Sequence, residues 1–376
     1  MSSSAVVVGA GVFGASIAHR LAADGWAVTL VERDEPAGPR STSGSHSRVL
    51  RCGHGEDDWH ALLAWRARAL WREIEADSGA ALFTPCGVLW LAQRDGGWED
   101  ACERTLRAAG IPVERLDVGR TAALYPSFSP DGLAFAVFEP DAGMLRARRA
   151  VRVLVRLAQE HGARLLRGEA RPAAGGAAVA VEDQLLEADR VVWACGPWLG
   201  RLFPRLAPLR VERAEYSTFA AGPGWAAEDG APVFIEFDAD VYGLPDLDDA
   251  GFKVAPEPPA EEYDPDTRDR PLTAAAEDRA RAYLARRFPA LAAAPRVGGR
   301  VCQYELTPDN EFLLAPLPGH PHVWIAGGGS GHGFKHGPAL AEVVRDRLTG
   351  AAPALSRHAL GAREPGPGLM FDRTPR

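Results

Sequence analysis

A glycine-spaced turn near the N-terminus, Gly9-Ala-Gly11-Val-Phe-Gly14, constrains this chain more than any other feature. It follows a β-branched run, Ala5-Val-Val-Val, and precedes a segment with Ile17, Ala18, Leu21 and Ala22 at helical spacing. Gly25 closes that helix, and Ala27–Val31 reads as a second strand ending at Glu32. Strand, helix and strand together span about thirty residues, the length of a βαβ crossover. Gly9 permits the tight turn, Gly11 lets backbone approach a pyrophosphate, and Gly14 brings helix against strand. The helix N-terminus offers free N–H groups and a partial positive charge to an anion. Glu32 can accept hydrogen bonds from both hydroxyls of a ribose, and its charge disfavours a 2′-phosphate. The unit predicts a dinucleotide site that does not take NADP, and leaves NAD and FAD open.

Two further strands run into glycine, Arg190–Gly196 and His322–Ala326, the second followed by Gly327-Gly-Gly-Ser-Gly-His-Gly333. In a doubly wound sheet the junctions at Gly9, Gly196 and Gly327 collect at one carboxyl edge, where a long ligand can cross them. Helices are expected at Gly14–Asp24, Trp59–Asp77, Trp98–Ala109, Arg146–His161, Ala274–Arg287 and Pro338–Leu348. Strands are expected at Gly87–Leu91, Ala163–Leu166 and Ala177–Val181, the last two joined by a turn at Gly175-Gly176. Proline and acid density marks a loop-rich insertion over 245–271. At 376 residues the chain is too long for one ordinary core. The pattern predicts an α/β protein with a discontinuous Rossmann-type domain from residues 1–82, 146–212 and 322–376. An interleaved α+β substrate domain on a mixed or antiparallel sheet takes 83–145 and 213–321.

A formal net charge of -8 argues against sequence-independent nucleic-acid binding, which needs a basic surface. No apolar run approaches a bilayer span, so no membrane partner is expected. Met1-Ser-Ser-Ser leads straight into a strand, without the basic and apolar regions of a signal peptide. The five cysteines are odd in number, scattered and without a CxxC pair, which argues against a disulfide framework or a structural zinc site and for a reducing cytoplasm.

Three later segments choose between the dinucleotides. They are Ser41-Thr-Ser-Gly-Ser-His-Ser-Arg48-Val-Leu-Arg51, then Cys302-Gln-Tyr304 with Thr307-Pro-Asp-Asn-Glu-Phe, then Gly329-Ser-Gly-His-Gly-Phe-Lys335. In order and spacing the chain resembles the monomeric sarcosine oxidase family, which includes N-methyltryptophan and pipecolate oxidases within the D-amino-acid-oxidase-like flavoproteins. The resemblance implies FAD. It implies cofactor contacts from Val12 and Phe13 in the first turn, Arg33 beside Glu32, and Ser43 in the serine loop. It adds Ala194, Gly196 and Trp198 after the middle strand, and Gly329, Ser330, Gly331, Gly333 and Phe334 near the end.

Catalytic roles follow from the same resemblance. Cys302 matches the cysteine linked to the flavin 8α-methyl group, a reaction that needs a thiolate; on its residues alone it reads as a buried core thiol. Arg51 and Lys335 match the cations that hold a substrate carboxylate, and Arg48 an arginine beside the flavin ring. Lys253 matches a lysine over the opposite flavin face, where oxygen reacts, and Tyr242 and Tyr304 line the substrate pocket. Two positions depart from the family. A loop histidine is replaced by Gly44, with His46 displaced, and a pocket histidine by Glu257, which would draw a second cationic group or alter the amine pKa. The implied activity is oxidation of the C–N bond of a small secondary-amine or cyclic amino acid to an imine, with oxygen reduced to hydrogen peroxide, by a monomeric enzyme. A tailoring oxidase acting on a larger amino acid, or a dehydrogenase with another acceptor, are the alternatives.

Overall fold

The β-branched run at the N-terminus becomes the strand Ser4–Val8, at the centre of a six-stranded sheet. This computed structural model describes residues 3–173, 178–205 and 209–366. The sheet runs in the order Leu313–Leu317, His320–Gly327, Arg190–Trp193, Ser4–Val8, Ala27–Glu32, Arg164–Arg167. All neighbours are parallel except the first pair. Helices Val12–Ala23, Ala147–Glu160 and Gly337–Leu348 bury one face, where Ile17, Leu21, Leu154 and Leu340 meet. A small antiparallel sheet, Ala170–Ala173, Ala178–Val181 and Gln184–Leu186, covers the other through Val179 and Val181. Both faces are therefore dry, which explains why these strands read as continuous apolar runs.

The second sheet has eight strands, in the order Arg296–Leu306, Arg210–Phe219, Phe252–Pro256, Val241–Leu244, Val233–Glu236, Val88–Ala92, Phe135–Glu139, Glu114–Leu116. It is antiparallel apart from the pairing of Val233–Glu236 with Val88–Ala92. One face packs on helix Ala274–Arg287 through Phe219, Phe234, Phe252, Tyr283 and Phe288. Within that core a fully buried Glu236 accepts hydrogen bonds from Arg287 at 2.8 Å and from the Tyr283 hydroxyl at 2.7 Å. A fourth sheet, of Ser47–Leu50, Gly143–Arg146 and Phe83–Thr84, completes the fold.

Several expectations shift in detail. The first helix begins at Val12 rather than Gly14, because Gly11 serves as its N-cap. The long helix Asp58–Ser78 is capped by the Asp57 side chain, which accepts from the His60 amide at 2.9 Å, and is ended by Gly79 at φ +66°. The segment 245–271, expected to be loop-rich, contains the fully buried strand Phe252–Pro256. Leu313–Leu317, placed by sequence with the second domain, pairs into the first sheet instead. The turn expected at Gly175-Gly176 lies outside the described residues.

Candidate active site

Because Ser4–Val8 lies between Ala27–Glu32 and Arg190–Trp193, and the latter pairs with His320–Gly327, three glycine-bearing strand ends stand side by side. A cleft of about 320 Å³ crosses them. Gly9, Gly11, Ala194, Gly196 and Gly329 form its floor. Gly9 sits at φ +98°, and a Cβ there would lie 2.5 Å from the Ala194 carbonyl oxygen. Gly14 is not on the wall: a Cβ would stand 1.8 Å from the Gly9 carbonyl oxygen, so it serves the packing of helix on strand. Gly11 differs from both. A Cβ there would have Ser43 Oγ as its nearest neighbour at 3.5 Å, an ordinary contact. The protein's own packing does not require glycine at that position; the open space is left for a ligand at the helix N-terminus.

Glu32 closes one end of the cleft, its carboxylate accepting from the amides of Ala10 at 2.7 Å and Asp34 at 3.0 Å. Burial pushes its pKa up, against those two bonds. Val12, Phe13, Arg33, Ser43 and Trp198 line the same wall, with the Arg33 guanidinium 4.7 Å from the Trp198 ring centroid and Ser43 Oγ accepting from the Val12 amide at 3.0 Å. Ser330, Gly331, Gly333 and Phe334 line the far end. Asp266 was not anticipated: it accepts from Trp198 Nε1 at 2.9 Å and Arg33 Nη1 at 3.2 Å, and tethers the insertion to the cleft.

A second, smaller pocket of about 70 Å³ shares the walls Arg48, Tyr304, Gly331 and Phe334 with the cleft. Its remaining walls include Arg51, Tyr216, Tyr242, Cys302 and Lys335. Strand register explains this gathering. Ala214 pairs with Cys302, Glu212 with Tyr304 and Tyr216 with Arg300, while Thr218 and Leu244 both pair with Lys253 and Tyr242 with Ala255. Opposed residues share a face and alternate residues return to it, so Tyr216, Tyr242, Lys253, Arg300, Cys302 and Tyr304 all stand on the face turned away from helix Ala274–Arg287.

Cys302 is buried, and Arg48 Nη2 lies 3.5 Å from its sulfur. Burial alone would raise its pKa, but the charges of Arg48 and Arg300 outweigh that and hold the thiol below its ordinary value. Arg48 is itself fixed by the carbonyl oxygens of Thr42 at 2.6 Å and Ser47 at 3.0 Å. Arg300, unremarked in the sequence, donates to the carbonyls of Gly44 and Pro39, each at 2.6 Å. The period-2 spacing to Cys302 was the available signal. His46, the displaced loop histidine, is exposed and bonds the Leu247 carbonyl at 3.0 Å.

Arg51 and Lys335 are each no more than 4 % exposed. The Arg51 guanidinium stacks 4.8 Å over the Trp90 ring centroid and donates to the Gly53 carbonyl. Lys335 Nζ donates to the His332 carbonyl at 2.8 Å. Burial, and then the nearby charge of Arg51, push the Lys335 pKa well down. Glu139, also missed by sequence, accepts from the amides of Cys52 and Gly53 and from Trp90 Nε1, and so shapes the Arg51 loop.

Lys253 and Glu257 stand one side chain behind the pocket wall. Lys253 Nζ lies 4.0 Å from the Tyr216 ring centroid and 5.7 Å from that of Tyr242, and burial together with Arg48 pushes its pKa well down. Glu257 accepts from the Tyr304 hydroxyl at 3.1 Å. Burial lifts its pKa to about 8, against the Tyr304 hydrogen bond.

The family model for FAD dependent oxidoreductases matches residues 4–347. The chain belongs to this family. N-methyl-L-tryptophan oxidase of Yersinia pestis (strain Pestoides F) is similar, 28% identical over 355 residues that cover 92% of this chain and 94% of that protein. Among solved structures, L-proline dehydrogenase from P. horikoshii superposes with a TM-score of 0.83 at 22% identity, covering 95% of this chain and 96% of its own. Iminodiacetate oxidase from Chelativorans sp. BNC1 gives 0.78 at 24%, covering 96% and 100%. The residues of this FAD-dependent oxidoreductase fit the cofactor: open space stands at Gly11 on the helix N-terminus, the Glu32 carboxylate lines the same cleft, and the cleft runs on into the pocket that carries Cys302. Among the described residues no helix is long and apolar enough to cross a membrane.

Proposed function

We propose that this enzyme oxidises the C–N bond of a small secondary-amine or cyclic amino acid, sarcosine- or pipecolate-like, to an imine, and that oxygen is the acceptor. The observation that carries this reading is the pair of buried cations, Arg51 and Lys335, on the wall of one small pocket with Cys302. Two cations buried together repel each other, and a carboxylate entering between them relieves that cost with charge-assisted hydrogen bonds. Tyr216, Tyr242 and Ile235 offer an apolar wall for the rest of a small substrate. N-methyl-tryptophan, iminodiacetate and proline, named for the similar enzymes, are all secondary amines beside a carboxylate.

Bound FAD supplies the redox chemistry, taking two electrons from the substrate and passing them on. In the balance, the substrate loses one hydrogen from carbon and one from nitrogen, and oxygen gains two electrons and two protons to become hydrogen peroxide. Arg51 and Lys335 orient the carboxylate, and the amine must be neutral to react. Cys302, its thiol held below the ordinary value, would carry the covalent link to the flavin. We assign Lys253, behind the Tyr216 ring, to the oxygen step, where an ammonium would favour superoxide. All five cysteines are free, which suits a reducing cytoplasm, and we infer a monomer.

Anaerobic mixing with N-methyl, cyclic and free primary amino acids tests the substrate class. Bleaching of the flavin by the first two groups, with peroxide formed on readmitting air, is the expected result. Bleaching without peroxide, but with reduction of an artificial dye, would instead support a dehydrogenase. No bleaching by any of them would refute the amine reading. Acid precipitation tests the link: yellow colour in the supernatant removes Cys302 from the cofactor site.

A further inference from the structure

Beside Lys335, and reaching the small pocket through His332 alone, lies a cluster of histidines to which the proposed amine oxidation gives no role. We propose that His54, His332 and His336 form a binding site for a divalent transition-metal ion of the zinc class, with the equally buried His60 ring packed against them. One nitrogen from each of His54, His332 and His336 lies within 4.8 Å of the others, and all three side chains are buried. The His60 ring is equally buried, with its centroid 5.3 Å from that of His54, 5.0 Å from that of His332 and 5.7 Å from that of His336.

The hydrogen bonds at the back of each ring decide which nitrogen faces inward. His54 Nδ1 lies 2.8 Å from the Cys52 carbonyl oxygen, so it carries the proton, and Nε2 is left as a lone pair without a partner. His332 Nε2 lies 3.0 Å from the Asn310 carbonyl oxygen, which leaves Nδ1 bare. Neither nitrogen of His336 has a partner. His60 stands apart from these three: its Nδ1 faces the Asp57 carboxylate at 3.1 Å and its Nε2 faces Glu311 at 3.9 Å. The back-side bonds of His54 and His332 are the kind that orients a metal-ligating imidazole, through a carbonyl.

A buried lone pair left unpaired is costly, and here several converge. A water molecule in their midst could donate only two protons, whereas a cation answers every lone pair at once. Nitrogen bonds of about 2.0–2.1 Å would draw the three ligand atoms closer than they stand, a change that ring rotations can supply. Arg51 and Lys335 on one side oppose a dication, while the carboxylates of Asp57 and Glu311, on the two nitrogens of His60, favour it. Phe312 and Trp59 pack edge-on against His60 at centroid distances of 5.0 and 4.9 Å and wall the site from solvent.

The test uses flavin-bound protein carrying no polyhistidine tag, dialysed against metal-free buffer and analysed for metals by mass spectrometry. About one zinc ion per chain is expected. His336→Phe and His54→Asn should each cut that at least about tenfold while the flavin spectrum persists. Protein grown in cobalt should show ligand-field absorption at wavelengths beyond the flavin bands, lost in His336→Phe. Flavin-replete wild-type protein that holds no zinc and takes up neither zinc nor cobalt overturns the proposal, as does metal that stays stoichiometric in both variants. The cobalt spectrum of the wild type decides the matter even if neither variant folds, and none of these readouts depends on the amine activity.

Discussion

Replacing Arg48 by methionine removes the charge nearest the Cys302 sulfur while keeping a side chain long enough to pack toward the Phe334 ring, 6.0 Å from the guanidinium. At an effective dielectric of about 20, a unit charge 3.5 Å from a thiolate contributes about 5 kcal/mol. Spread over the guanidinium and set against the cost of burying it, about half of that remains. At about 1.4 kcal/mol per pKa unit, the thiol should rise by about two units in Arg48→Met. The thiolate fraction near neutrality then falls about a hundredfold, while the more basic sulfur regains a factor of about eight in nucleophilicity, so covalent attachment should slow about tenfold. Apoenzyme incubated with FAD, sampled into acid over time and read for flavin in the pellet, gives the rate at each pH. The wild-type and Arg48→Met profiles should be displaced by about two pH units, converging or crossing at the alkaline end, with Arg48→Lys between them. Equal rates and an equal midpoint in wild type and Arg48→Met would show that this charge does not activate the sulfur.

Gly11→Ala should fold but bind FAD at least about tenfold more weakly in titrations of the apoenzyme, whereas Gly14→Ala, whose Cβ would stand 1.8 Å from the Gly9 carbonyl oxygen, should yield little folded protein; normal affinity in Gly11→Ala would count against the pyrophosphate position. Lys253→Met should be reduced by substrate at close to the wild-type rate under nitrogen but be reoxidised by oxygen at least about a hundredfold more slowly in stopped-flow; equal slowing of both halves would move Lys253 out of the oxygen step. Glu257 keeps its proton in the fold up to about pH 8, while the unfolded chain loses it above the ordinary 4.5, so its presence costs stability increasingly between those values. Glu257→Gln should accordingly gain about 4 kcal/mol over wild type by pH 8 and under about 1 kcal/mol at pH 5 in denaturant melts, and a difference independent of pH would refute that titration.

The nucleotide half of the fold was legible because its signals are local. A β-branched run, three glycines and an acid at the next strand end lie within 32 residues, and each is demanded by backbone geometry. The buried strand Phe252–Pro256 was harder to see. Its flanks are rich in proline and acid, and it is buried only because it pairs on one side with Val241–Leu244 and on the other with Arg210–Phe219, more than thirty residues away. Arg51 and Lys335 could be named only through a resemblance, since a buried cation and a surface cation look alike in a sequence. The histidine cluster left no trace at all: its members come from 54–60 and 332–336, and only packing brings them together.

The eight-stranded sheet shows why the chemistry can be placed so firmly on strands whose sequences look unremarkable. Phe219, Phe234, Val241, Phe252 and Val254 occupy one face and pack on helix Ala274–Arg287, while Tyr216, Tyr242, Lys253, Cys302 and Tyr304 occupy the other. Burying five such apolar side chains at about 1.5–3 kcal/mol each favours this register by roughly 10 kcal/mol over one slipped by a single residue, which would turn the lysine and tyrosines into the core. Gly243 is part of the same device, because a Cβ there would strike the Phe234 ring at 2.3 Å and the Lys253 carbonyl oxygen at 2.5 Å. The apolar face thus sets the position of every reactive group on the opposite face. Substitutions at 216, 242 or 304 leave the apolar face that sets this register untouched, yet they act on its opposite face together: Tyr216 and Tyr242 pack on Lys253, and Tyr304 lines the cleft as well as the small pocket.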